Sequence, residues 1–87
     1  MLAIRDGVMF NRVGDEVVIL DLDSGTYYGL DPVGSRLWEL ISGGASIDDA
    51  LAAMEREYDV ERSVLDRDVN ALVVELRERE LLVSVSS

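Results

Sequence analysis

The chain has 87 residues, 48% of them apolar, enough for one small domain with a single core spanning 1–87. It carries 18 acidic residues against 8 basic ones, a net charge of −10; every basic residue is arginine, and Cys, His and Lys are absent. That composition excludes disulfides, thiolate and imidazole catalysis, Cys/His metal sites and lysine Schiff bases, and it disfavours nucleic acid, whose phosphates need Arg/Lys neutralisation.

Residues 8–13 and 16–22 are rich in Val, Ile, Leu and Phe and read as strands. Gly14-Asp15 between them fits a two-residue type II′ turn. That turn sets Val13 opposite Glu16, Asn11 opposite Val18 and Met9 opposite Leu20. One face then carries Val8, Phe10, Val17 and Ile19; the other carries Met9, Val13, Val18, Leu20 and Leu22. Both faces are more apolar than a sheet with one wet side needs, so either something covers the second face or the register differs. After a turn at Asp23-Ser24-Gly25, the run Thr26-Tyr27-Tyr28-Gly29-Leu30 reads as a third, short antiparallel strand. At a sheet edge it would leave main-chain groups unpaired, with its two tyrosines on opposite faces. Asp21-Leu22-Asp23 looks like the opening of a calcium loop, but the sixth position is Thr26 instead of Gly and the twelfth is Pro32 instead of Glu. No metal, cofactor or catalytic residue is expected.

The pattern changes to helical at Asp31-Pro32, an N-cap followed by proline at the first helical position. Leu37, Trp38, Leu40 and Ile41 form the apolar stripe, and Gly43-Gly44 ends it. Ser46-Ile47-Asp48-Asp49 starts a second helix, with acidic residues at its positive end. Ile47, Ala50, Leu51, Met54 and Tyr58 give it one face. A third helix is expected over 61–79, with Leu65, Val69, Leu72 and Leu76 as its main stripe and Val73 beside it. Val64, Ala71 and Val74 lie outside that stripe, so the apolar arc is wider than one packing face requires. The tail 81–85 could add a strand.

Three antiparallel strands followed by three helices make an α+β, winged helix-turn-helix-like fold. In a DNA-reading version the third helix would be basic. Here Arg62, Arg67, Arg77 and Arg79 are outnumbered by Glu61, Asp66, Asp68, Glu75, Glu78 and Glu80. The longest apolar run is four residues, at 17–20, far short of a membrane span. A cytoplasmic protein with no nucleic-acid or membrane partner is the expectation.

The stretch from Asp21 to Ile41 resembles the PqqD family, named for the peptide chaperone of pyrroloquinoline quinone biosynthesis. The resemblance rests on Gly25, Tyr27, Tyr28, Leu30, Asp31, Gly34, Leu37 and Trp38, with Tyr58-Asp59-Val60 and the closing Leu81-Leu82. Glu80 departs from it, standing where many members have glycine. The resemblance implies a non-catalytic recognition element for the leader of a ribosomally made precursor peptide, handing it to a leader peptidase or other modifying enzyme. Lasso-peptide maturation is the favoured setting; chaperoning a peptide for a radical enzyme is the alternative. It also implies that the leader adds as a strand beside Thr26, Tyr27, Tyr28, Gly29 and Leu30 and packs against the third helix. By spacing, Val64, Asp68, Ala71, Leu72 and Glu75 share one side of that helix and are the candidates to meet it. Each apolar anchor fully buried there contributes about 1.5–3 kcal/mol. A competing use of the same edge is self-pairing, giving a homodimeric scaffold or regulator.

Overall fold

The computed structural model describes residues 2–85. The chain opens with β1 (Leu2–Ile4) and continues through β2 (Val8–Val13), β3 (Glu16–Asp21) and β4 (Thr26–Leu30). Helices α1 (Pro32–Ser42), α2 (Ile47–Glu57) and α3 (Arg62–Glu78) follow, and β5 (Leu82–Ser84) closes the chain. β2, β3 and β4 form a three-stranded antiparallel sheet in that order. This is the expected α+β arrangement of three strands followed by three helices. A second sheet adds to it: β1 pairs with β5, Leu2 opposite Ser84 and Ile4 opposite Leu82.

The expected register is present, with Val13 opposite Glu16, Asn11 opposite Val18 and Met9 opposite Leu20. Of the two turn residues only Gly14 has a positive φ, +66°, as a type II′ turn requires. The sheet therefore has a definite inside and outside. Val17 and Ile19 are fully buried on the inner face, with Leu30 beside them. On the outer face Met9, Val13 and Tyr27 are 58%, 63% and 68% exposed. No described element covers that face and the register is the expected one, so neither explanation drawn from the apolar pattern holds among the described residues.

The core lies between the inner face and the helices. Leu37, Trp38 and Ile41 of α1, Ala50, Leu51 and Met54 of α2, and Leu65, Val69, Val73 and Leu76 of α3 fill it. Phe10 meets Trp38 edge to face, centroids 5.7 Å apart. Ser35 is fully buried: its Oγ accepts from the Val17 N–H at 2.7 Å and donates to the Leu30 carbonyl at 3.1 Å. This one hydroxyl fixes the end of β4 against β3 and the first turn of α1.

The helix ends follow the residues. Asp31 caps α1 by accepting from the Gly34 N–H at 2.7 Å, and Ser46 caps α2 through the Asp49 N–H at 3.1 Å. Glu61 is the N-cap of α3 without a side-chain hydrogen bond, and Arg79 is its C-cap. The expected limits at 61 and 79 are thus the two caps. Both α1 and α3 finish in a Schellman turn. Ala45 N–H donates to the Leu40 carbonyl after Gly44, whose φ is +98°; Leu81 N–H donates to the Leu76 carbonyl after Glu80, whose φ is +58°. The departure at Glu80 leaves the helix end intact, but a non-glycine residue takes the left-handed conformation.

Asp21 and Asp23 are engaged by an arginine. Arg5 donates to Asp21 Oδ1 at 2.9 Å, to Asp23 Oδ2 at 2.6 Å and to the Glu80 carbonyl at 2.7 Å. Burial pushes the Asp21 carboxyl up, but hydrogen bonds from Arg5 and from the Asp23 N–H outweigh it and hold the group below its ordinary range.

Candidate functional site

A groove of about 620 Å³ runs between β4 and α3, floored by the first turns of α1. The β4 wall is Tyr27, Tyr28, Gly29 and Leu30. The α3 wall is Asp68, Val69, Leu72, Glu75, Leu76 and Arg79, two adjacent rows spaced three and four residues apart on one side of the helix. Asp31, Val33, Gly34 and Leu37 form the floor, and Leu81 lies at one end. From Asp68 to Arg79 the helix rises about 16 Å, room for about five residues of extended chain.

The parity of the ladder decides which β4 groups face the groove. Val13 and Glu16 flank a two-residue turn and form a hydrogen-bonded pair, so Val17, Ile19 and Asp21 direct their main chain toward β4. The Gly25 N–H bond to the Asp21 carbonyl, 2.7 Å, has the same sense. Thr26, Tyr28 and Leu30 are their partners, leaving Tyr27 and Gly29 with N–H and C=O on the open edge. Side chains alternate the other way. Tyr28 lies on the inner side, half-buried, with the Arg79 guanidinium 4.8 Å from its ring centroid. Arg79 also donates to Glu75 at 3.0 Å. The Tyr27 ring points to the outer face.

Of the residues anticipated from sequence, Tyr27, Tyr28, Gly29, Leu30, Asp68, Leu72 and Glu75 line this groove. Thr26, Val64 and Ala71 do not. Thr26 is spent on β3 through its pairing with Asp21. Val64 sits one turn beyond the groove's Asp68 end, and Ala71 is rotated about 100° from Leu72 and is exposed. Sequence reasoning left out the floor and the deeper α3 row. Val69 and Leu76 read as core residues, which they also are, and Arg79 read as surface charge. Gly34 and Leu37 stood in the PqqD-like pattern without a site role.

The groove joins a free strand edge to an apolar helix wall, the geometry of a site that takes extended peptide. Among the described residues no group of three His, Cys, Asp or Glu side chains is placed to hold a metal ion. No helix among them is long and apolar enough to cross a membrane. A family model described as coenzyme PQQ synthesis protein D (PqqD) matches residues 16–82, and the chain belongs to that family. No curated protein sequence matches the chain. Among solved structures it is similar to TbiB1 in complex with the TbiA(beta) leader peptide: 39% identity over 98% of this chain and 99% of that one, TM-score 0.91. It is also similar to a lasso peptide synthetase B1 complexed with the leader peptide: 28% identity over 95% and 98%, TM-score 0.85.

Proposed function

We propose that the protein is a non-catalytic recognition element that binds the leader of a lasso-peptide precursor and delivers it to a leader peptidase or other modifying enzyme in the cytoplasm. The observation that carries this reading is the groove itself: the free edge of β4 lies opposite a wall of α3 that combines Val69, Leu72 and Leu76 with acidic residues. The two similar solved structures, both complexes with leader peptides, support it. The leader adds to β4 through Tyr27 and Gly29, placing alternate side chains over Leu72. Asp68 and Glu75 border the apolar floor and suit a basic leader residue. Two or three buried anchors, less the cost of ordering the peptide, correspond to affinities of roughly micromolar to nanomolar.

The test is fluorescence polarisation with a fluorescein-labelled leader of the cognate precursor. One-to-one binding is expected, with Leu72→Asp reducing it at least about a hundredfold by placing a charge in the apolar part of the α3 wall. Ala71→Asp, one residue away but outside the lining, keeps wild-type affinity and serves as the control. No binding at high micromolar protein defeats the proposal; so does equal loss in both variants. Light scattering without leader separates this reading from self-pairing through β4, which predicts a dimer that leader does not dissociate.

A further inference from the structure

We infer that Gly34 is a positioning residue that sets the width of the groove by letting Leu72 of the α3 wall sit back against α1. The inference rests on the leader-binding reading for its functional consequence, and on the packing of α1 against α3 for its geometry. Gly34 is buried at the third position of α1. A Cβ built on it would lie 3.0 Å from Leu72 Cδ2 and 3.1 Å from Asp31 Oδ1, both tighter than ordinary contact. Glycine weakens a helix, and in a capping box this position carries Glu or Gln. Here the side chain is missing and Leu72 of α3 occupies its place.

Leu72 is half-buried, with one side against the Gly34 backbone and the other lining the groove. A methyl group at position 34 would force the Leu72 isobutyl group to give way. The backbone of α1 blocks one direction, and the groove is the open one. The α3 wall would then move into the groove where the bound strand sets an apolar side chain. Gly34 has no side chain to offer the groove; it acts through Leu72.

The experiment compares Gly34→Ala, Leu72→Val and the double variant, each titrated with the labelled leader. Thermal melting and the methyl resonances of Leu72 are recorded on the free proteins. Gly34→Ala is expected to shift the Leu72 methyl signals and to weaken binding about tenfold, the scale of an overpacked contact. Leu72→Val has no Cδ atoms to collide with. Adding Gly34→Ala to it should change the affinity by less than about twofold, so the two substitutions are strongly non-additive. If Gly34→Ala melts early, Leu72→Val in the same chain restores the melting temperature; an effect acting only through the Asp31 cap is not restored. Wild-type affinity in Gly34→Ala, or losses that simply add in the double variant, overturns the positioning role while leader binding stands. Should the wild-type protein bind no leader, the functional reading falls, and unchanged Leu72 methyl signals would overturn the contact as well.

Discussion

Two buried or strained residues carry more of the fold than their size suggests. Ser35 Oγ satisfies the Val17 N–H and the Leu30 carbonyl together, in a place shut off from water. Ser35→Ala leaves both without that partner and should destabilise by about 1–3 kcal/mol, read as a lowered urea midpoint with unchanged slope. Glu80 is strained for the opposite reason: its side chain is free, but its backbone adopts the left-handed region at φ +58°. Glu80→Gly removes that penalty and should stabilise by about 1 kcal/mol, checked by the same denaturation curve. In the sequence the position stands out only as a departure from the glycine common in PqqD-like chains; the left-handed turn there comes from the structure. Ser35 was not legible. A serine in the first turn of a helix ordinarily faces water, and only the way α1 abuts the ends of β3 and β4 buries this one. Trp38 was read correctly as core, yet its Nε1 has no hydrogen-bond partner among the described residues.

The elements themselves were mostly written in the periodicity. Runs rich in Val, Ile, Leu, Phe and Tyr point to β2, β3 and β4, and the glycine-first turn gives the β2–β3 register, because it allows little choice. Helical stripes with their start and stop residues match α1 and α3 to within a residue at each end, and the start of α2. β1 was invisible, since Leu2–Ile4 is too short to show a period and its partner lies at the other end of the sequence. The site was partly legible: helical spacing identifies a shared face but not which sector of that face a neighbour covers. Hence both Leu72 and Ala71 fall on the shared face, but only Leu72 lines the groove. The strand edge allows a sharper test than any side-chain change. Gly29 contributes only its main chain to the open edge, and a Cβ there meets nothing within 4 Å. Gly29→Pro removes an outward N–H without touching the β3 ladder. It should lower leader affinity about tenfold while the melting temperature barely moves, as polarisation and circular dichroism will show.

At the scale of the whole molecule, ion pairs tie the elements into a slab of 37 × 33 × 20 Å. Arg12 of β2 meets Glu39 of α1, Arg36 of α1 holds Glu57 of α2 through two bonds of 2.8 Å, and Arg62 of α3 reaches Glu55 of α2 at 2.8 Å. Hydrogen bonds from Arg36 hold the Glu57 carboxyl below its ordinary range against the effect of burial, as Arg5 does for Asp21. A carboxyl lowered in the folded state binds fewer protons there than in the unfolded chain. Its contribution is therefore complete above the ordinary carboxylate range, near pH 4, and disappears as the pH falls through the lowered value. Melting temperature should decline below about pH 4, and Asp21→Asn should show a lower but flatter profile in that window. If the variant and the wild type fall in parallel, the Arg5 cluster is not the source.

The pairing of β1 with β5 has a consequence for the order in which the chain can fold. Leu2 opposite Ser84 closes a loop of nearly the entire polypeptide, the longest in the fold. Closing such a loop in an open coil brings little immediate return, whereas the β2–β3 hairpin and the three helices form from near neighbours. The two end strands therefore gain their hydrogen bonds only after the core has drawn them together. Their pairing completes a fold in which Leu82 of β5 belongs to the core and Leu81 beside it lines one end of the groove, so that end takes its final shape last.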